Sequence, residues 1–105
     1  MTHRVAVTGI GVIAAPGRTR VAFWEALRKG RSAIRPMTLV NGLRFPHAAE
    51  VLDYRATDYL DAKEADMLDR FTQFALIAAR EAVADSRITL AGERTAVVTG
   101  TSAGG

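Results

Sequence analysis

The segment that most constrains the fold is residues 74–79, Phe-Ala-Leu-Ile-Ala-Ala, which would be apolar on nearly every side of a helix. Asp69 is a suitable N-cap, and we expect the helix to run from Arg70 to about Asp85. A surface helix has one apolar stripe, whereas a helix covered on most sides is apolar all round. An amphipathic helix with a wide stripe is the alternative. Four alanines would let a sheet approach closely: Ala75, Ala78, Ala79 and Ala82.

Two short apolar runs, residues 4–13 and 94–100, are rich in β-branched residues and are typical of strands that are buried on both faces. They begin alike, with Arg-Val-Ala-Val-Thr-Gly in one and Arg-Thr-Ala-Val-Val-Thr-Gly in the other. We interpret them as two neighbouring parallel strands with similar exits, and not as a true internal repeat.

Capping patterns predict two further helices between these runs. Thr19 can cap a helix that extends to about Lys29, and Gly30 suits the position just past its end. Asp61, with Glu64 three residues later, is typical of the start of a short helix.

Residues 31–56 are expected to form an irregular excursion with one or two short strands, near Ile34 and residues 48–51. Its breakers are Pro36, Asn41-Gly42 and Pro46. The order of strand, helix, excursion, long helix and strand predicts the α/β class.

The amino-acid composition limits which classes of protein the chain can belong to. The chain has 105 residues, of which 49% are apolar and 24% charged, as in an ordinary soluble domain or part of one. No stretch approaches the roughly 20 apolar residues of a membrane span. Residues 1–4 lead directly into a strand-like run with no apolar signal core, so we expect a cytoplasmic protein without a membrane partner.

Net charge and the absence of cysteine limit the partners and the reactions that these residues allow. The formal charge is +3 and the charged residues are scattered, which disfavours nucleic acid as a partner and is compatible with an acidic protein. The chain contains no cysteine, so these residues hold no disulfide, no cysteine-based metal site and no thiolate nucleophile.

Residues 9–14 match the pattern G-x-G-x-x-A that follows a strand in dinucleotide sites. Such a site needs a helix to begin within the pattern, so that its N-terminus meets the pyrophosphate. Here Pro16 and Gly17 separate the pattern from the helix, and Glu25 falls in mid-helix, where it cannot bind a ribose. We interpret the glycines as allowing close packing, and nucleotide binding as the less favoured alternative.

Residues 100–104 match the pattern G-x-S-x-G of a serine nucleophile elbow. The elbow needs a following helix and a later acid and histidine, but His3 and His47 both lie upstream. A turn of small residues explains the pattern without catalysis. Neither histidine has a partner at metal-ligand spacing, and caps and solvated faces explain the acidic residues between 53 and 69. The residues alone indicate an α/β chain without a complete active site.

The order of segments resembles that of the condensing enzymes, specifically the β-ketoacyl-[acyl-carrier-protein] synthase II type and its polyketide-synthase relatives. The pieces that carry the resemblance are RVAVTGIGV at 4–12, FWEAL at 23–27 with GRSAI at 30–34, LDRFTQFA at 68–75 leading to AREAVADS at 79–86, and RTAVVTGTSAGG at 94–105. The resemblance depends most on the last two pieces, and residues 36–56 match the family least.

The resemblance implies a fold and a domain. Residues 1–105 would be the N-terminal part of a β-ketoacyl synthase N-terminal domain, with the C-terminal remainder absent. They would form most of the first half of a five-layer αβαβα, thiolase-like arrangement. In that arrangement the long helix lies between two sheets, so a chain holding this part alone would leave the helix partly uncovered and prone to self-association.

The resemblance also implies decarboxylative condensation of acyl and malonyl thioesters, in fatty acid or polyketide biosynthesis. The family's catalytic cysteine and two histidines follow the matched region, so no catalytic residue is assigned here, and His3 and His47 are not candidates. No cofactor or metal is implied. The implied partners are acyl carrier protein and, in the parent protein, a second synthase subunit in a homodimer or heterodimer.

One binding residue is carried over from the family. Lys63 lies on the short helix where relatives present basic residues to the acidic carrier protein, but Asp66 and Met67 stand where relatives are often basic. A solvated surface charge is the alternative role for Lys63. The departure also favours a second hypothesis, a non-catalytic partner subunit like a chain-length factor, or a degenerate remnant of the fold. Under either hypothesis we expect the chain alone to be inactive.

Overall fold

The computed structural model describes residues 2–104 of the chain. Its elements are helix α1 (Arg20–Arg28), strands β1 (Ile34–Pro36) and β2 (His47–Ala49), helix α2 (Ala62–Met67) and helix α3 (Arg70–Ser86), with single 3₁₀ turns at Ala56–Asp58 and Gly92–Arg94. The class is α/β, as predicted.

The three predicted N-caps are confirmed. The side chain of Thr19 accepts the amide of Ala22 at 3.1 Å. The two aspartates act in the same way: Asp61 accepts the amide of Glu64 at 2.8 Å, and Asp69 accepts the amide of Thr72 at 3.2 Å. Each bond satisfies one of the N–H groups that a helix start leaves without an intrahelical acceptor.

The predicted excursion contains two short strands, which confirms that expectation. β1 and β2 pair antiparallel, with Ile34 opposite Ala49 and Pro36 opposite His47. The Glu50 carboxylate then closes the intervening loop, accepting the backbone amides of Leu39 at 2.8 Å and Thr38 at 3.0 Å. The Thr38 hydroxyl donates to the same carboxylate at 3.1 Å.

We call the hydrogen bonds of Glu50 with Thr38 and Leu39 the clamp, and they make the stability of the hairpin sensitive to acid. The backbone N–H groups of Leu39 and Thr38 favour the ionised carboxylate and hold the pKa of Glu50 below its ordinary value. A lowered pKa means that the stabilisation is complete above about pH 4.3 and is lost as the pH falls through the lower, folded-state value. We expect the amide proton shifts of Thr38 and Leu39 to titrate with a midpoint below the ordinary pKa of a glutamate in NMR spectra. Glu50→Gln should abolish that titration, and a midpoint at or above the ordinary value would contradict the clamp.

The two predicted buried strands are wrong for this structure. Residues 4–13 and 94–100 run without a strand partner, and β1 and β2 are the hydrogen-bonded strands within residues 2–104. The predicted burial is also absent at four valines, which are 79–94% exposed: Val5, Val7, Val97 and Val98. The physical reason is that a strand exists only as part of a hydrogen-bonded ladder, and neither run forms backbone hydrogen bonds with the other or with the hairpin.

Helix α3 contacts several other segments of the chain, and Ile77 in its middle is buried. Gly9 and Gly11 lie directly on it, because a Cβ at either position would overlap the backbone carbonyl of Ala82 or Ala78. The expected close approach to the small residues of α3 is therefore confirmed, although a single extended segment makes it instead of a sheet. One side of α3 is uncovered, with Ala75, Ala79 and Val83 among its exposed residues. The expectation of a partly uncovered helix is confirmed.

Candidate functional site

Helix α2 is the element that carries the one binding residue predicted from the sequence, Lys63. Only six residues long, the helix ends at Leu68, whose extended backbone turns the chain into α3. So short a helix is not stable by itself, and contacts with neighbouring segments must hold it.

Two side chains of α3 supply those contacts. The guanidinium of Arg80 lies 3.0 Å from the Glu64 carboxylate, and it also donates to the carbonyl of Tyr59 at 3.4 Å. The amide nitrogen of Gln73 donates to the carbonyls of Ala65 and Leu68, at 2.9 and 2.8 Å. Together they fix one side of α2 on α3 and leave the other side to solvent.

The solvent side of α2 carries Lys63, Asp66 and Met67, and the Met67 side chain is 73% exposed. Within the described part of the chain, Lys63 makes neither an ion pair nor a hydrogen bond, so its ammonium is available to a partner. A shallow hollow of about 370 Å³ lies beside it, lined by Asp61, Lys63, Glu64, Met67 and Leu68. The surface thus combines one unpaired cation, a solvent-facing carboxylate and an apolar side chain.

The glycine pattern of residues 9–14 does not form a nucleotide site. The amide of Val12 donates to Glu81 at 2.8 Å, and that of Ile10 donates to Asp85 at 3.1 Å. These two amides are therefore already bound to anions of the chain's own helix. Ala14 and Gly17 then bond to each other in a tight turn, so α1 begins only at Arg20.

The same two carboxylates also secure the start of α1. Glu81 accepts the backbone amide of Arg20 at 2.9 Å, and Asp85 lies 2.7 Å from the Arg20 guanidinium. An anion at a helix start satisfies an N–H group that has no intrahelical acceptor and complements the helix dipole. The acidic pair was not predicted as a site, and the structure shows that it joins three segments.

The serine pattern of residues 100–104 forms a turn with no catalytic partner among the described residues. The amide of Gly104 donates to the Thr101 hydroxyl at 2.9 Å, and Gly104 lies against the ring of Phe71. Ser102 is exposed and makes no hydrogen bond with residues 2–104. His3 and His47 are both exposed.

A larger cleft, of about 570 Å³, lies between the excursion and α3 and was not predicted. Its arginines are already engaged: Arg70 donates to the Val51 carbonyl at 2.6 Å, and its guanidinium lies 5.0 Å from the ring centres of both Tyr54 and Phe74. Arg18 donates to the carbonyl of Asp53. Arg70 therefore holds the excursion on α3, and Arg18 joins it to the segment before α1. The aromatic residues at 54 and 74 were the available signal, but their sequence positions do not reveal the pairing.

Within residues 2–104, no group of three or more histidine, aspartate or glutamate side chains is arranged to hold a metal ion. No helix in the same range is long and apolar enough to cross a bilayer.

Comparisons with known proteins identify the family of the chain. Residues 2–105 match the family described as "Beta-ketoacyl synthase, N-terminal domain". The chain is 47% identical to a "Putative polyketide beta-ketoacyl synthase 1" from Streptomyces cyaneus over 110 residues, which cover 100% of the chain and 26% of that protein. It is 38% identical to a "3-oxoacyl-[acyl-carrier-protein] synthase 2" from Synechocystis sp., over 97% of the chain and 26% of that protein.

A third relative has the same printed name. It is the "3-oxoacyl-[acyl-carrier-protein] synthase 2" of Staphylococcus aureus, which is 37% identical over 89 residues, or 83% of the chain and 22% of that protein. The chain thus spans about a quarter of the length of the curated relatives it matches. The match extends over nearly every residue, from the glycine-containing segment that lies on α3 to the final turn, and the chain belongs to the β-ketoacyl synthase family, in its N-terminal domain.

Proposed function

We propose that this chain supplies the N-terminal part of a cytoplasmic 3-oxoacyl-[acyl-carrier-protein] synthase that acts in fatty acid or polyketide biosynthesis. The observation that supports the proposal is the family match over residues 2–105, together with relatives named as synthases at 37–47% identity. In the complete enzyme these residues would belong to the first half of a five-layer αβαβα arrangement. That arrangement would cover the uncovered side of α3 and pair the extended runs.

The reaction proposed for the complete enzyme is a decarboxylative condensation. A cysteine thiol displaces a carrier thiol from an acyl thioester and becomes acylated. Malonyl on a second carrier releases CO₂, and the resulting carbanion attacks the acyl carbonyl, from which the cysteine thiolate departs. Two histidines and backbone N–H groups would stabilise the developing negative charge. The chain has no cysteine, so we expect no condensation by these 105 residues alone.

A second function is favoured by one observation, the charge of α2. Lys63 is the one cation of this helix, and Asp66 and the exposed Met67 share its solvent side. An acidic carrier protein would gain little from this surface. A non-catalytic subunit, which pairs with an active synthase as a chain-length factor does, would not need it. In either case we propose that the complete protein works as a homodimer or heterodimer of synthase subunits.

Reading the gene past the codon for Gly105 separates the two functions. A frame that continues with a cysteine after a strand and two later histidines predicts an active enzyme. The purified product should then condense acyl and malonyl carrier proteins, and replacing that cysteine by alanine should abolish turnover. A frame that continues without the cysteine predicts a partner subunit, which should raise activity only when it is mixed with a complete synthase. A product that does neither would overturn both proposals.

The carrier contact at Lys63 is tested by reversing single charges. We expect Lys63→Glu to weaken binding of acyl carrier protein about two- to fivefold, and Asp66→Lys to strengthen it by a similar factor, because exposed charges contribute modestly to association. Fluorescence anisotropy with labelled carrier protein at low and at high salt would measure both, and the difference should shrink at high salt.

Arg44→Glu is the matched control, because it reverses the same charge on the exposed hairpin loop. Equal effects of the substitutions at positions 44 and 63 would indicate attraction by the overall charge of the chain. No effect of Lys63→Glu at low salt would remove this contact and favour the partner-subunit function.

A further inference from the structure

Gln73 is a polar residue on α3 that is almost wholly buried, with only 7% of its surface exposed. A buried amide is tolerated when every donor and acceptor is satisfied, and that is the case here. Its nitrogen donates both protons to α2, and its oxygen accepts the hydroxyl proton of Tyr54 at 2.8 Å. One side chain therefore joins three segments: α3, the end of α2 and the excursion.

The carbonyls that Gln73 binds belong to Ala65 and Leu68, at the C-terminal end of α2. The last four carbonyls of a helix have no intrahelical donor, and another group must satisfy them. Gln73 thus caps α2 from a neighbouring helix. A helix of six residues depends on such a cap, because its own backbone bonds are too few to hold it.

We propose that Gln73 is the positioning residue of the α2 surface, which sets how the helix bearing Lys63 is presented to a partner. The inference deepens the proposed carrier contact and rests on it for its functional consequence. Arg80 is a second tie to α2, but its ion pair with Glu64 is half exposed and its bond to Tyr59 is long. The buried amide is the contact that fixes the angle between α2 and α3.

Hydrogen exchange of the purified chain tests the positioning role. Gln73→Met keeps the length and approximate shape of the side chain but removes all three hydrogen bonds. We expect the amides of Ala65 and Leu68 to exchange about tenfold faster or more, because two half-buried carbonyls at the end of α2 lose their donors and the helix loosens. Amides in the second half of α3, after Ile77, should keep their protection. Loss of protection over all of α3, or no change in α2, would overturn the proposal.

Gln73→Glu adds a second readout, the pH dependence of hydrogen exchange in α2, which a purely structural role would not give. The comparison is made within one variant at two pH values, so differences in folding between variants do not enter. Ionised glutamate would face two carbonyls and have no proton to donate, so α2 should be loose at pH 7.5. The protonated form donates one hydrogen bond, and burial among carbonyls raises the pKa of such a group. Protection of α2, corrected for intrinsic exchange, should therefore recover towards pH 5 in this variant alone. No recovery would count against the proposal.

Tyr54→Phe is the matched control, since it removes one hydrogen bond to Gln73 and keeps both bonds to α2. It should change α2 protection far less than Gln73→Met does, and an equal effect would overturn the assignment. Binding of acyl carrier protein to the same variants separates the two ideas. If carrier binding weakens in the same order as the hydrogen-exchange protection of α2, the result supports both the positioning role and the carrier contact. Faster exchange with unchanged binding supports the positioning role of Gln73 and removes the carrier contact.

Discussion

Replacing Gly11 by alanine is expected to lower the free energy of unfolding by about 2–4 kcal/mol, a large loss for a small chain. A Cβ at this position would coincide with the backbone carbonyl of Ala78, which cannot move without disturbing α3. The displaced segment would also lose the bond from the Val12 amide to Glu81. Urea unfolding followed by circular dichroism at 222 nm, at low protein concentration, would measure the loss.

Gly92→Ala is the matched control for this prediction. Nothing lies within 4 Å of a Cβ at position 92, and its backbone does not have the positive φ that disfavours alanine. The change there should stay within about 0.5 kcal/mol. If Gly11→Ala lost no more than Gly92→Ala, residues 9–12 would not lie on α3 in solution.

The second large effect expected is self-association of the isolated chain at micromolar concentrations. The extended runs expose valines almost completely, at 90% for Val5 and 94% for Val98. Their backbone N–H and C=O groups have no strand partner within the described residues, and an unpaired apolar edge is a template for another chain. Helix α3 contributes less, because its larger exposed side chains, Phe71 and Val83, are only 43% and 44% exposed.

Sedimentation velocity over a concentration series would measure this effect. We expect Val97→Lys to shift the population strongly towards monomer, since a charge in the edge opposes strand pairing. Val21→Lys is the control, because Val21 is an exposed valine on helix α1. A sharp monomer with a cooperative melt for the unmodified chain would contradict the prediction. An equal response to both substitutions would assign the association to general surface hydrophobicity.

The helices could be predicted because their signals are local. Thr19, Asp61 and Asp69 each cap through an amide only three residues ahead, so short sequence patterns contain all the information. The two short strands were predicted for a similar reason, because Pro36 ends the first strand and Pro46 directly precedes the second. The close approach at Gly9 and Gly11 also follows from residue type, because only glycine leaves room for another backbone there.

The strands and the buried network could not be predicted in the same way. A β-branched run such as residues 94–100 is a strand only when a partner lies beside it, and composition does not say whether one does. Gln73 contacts residues 5, 8 and 19 positions away, in segments whose packing angles no local pattern encodes. The available signal was Gln73 itself, a polar residue directly before the apolar residues 74–79, and it resembles an ordinary solvent-facing glutamine.

The carboxylates of Glu81 and Asp85 have a consequence for how the chain matures during synthesis. They bind groups that lie 61–75 residues earlier in the sequence. At ribosomal rates of about 5–20 residues per second, the first glycines and the start of α1 wait roughly 3–15 seconds before their acceptors are made. During that interval the apolar residues 4–13 cannot pack, because the helix that they contact has not yet been made. Chaperones that bind nascent chains therefore have the longest time to bind the first fifteen residues. That time ends when α3 leaves the exit tunnel and these residues can pack on it.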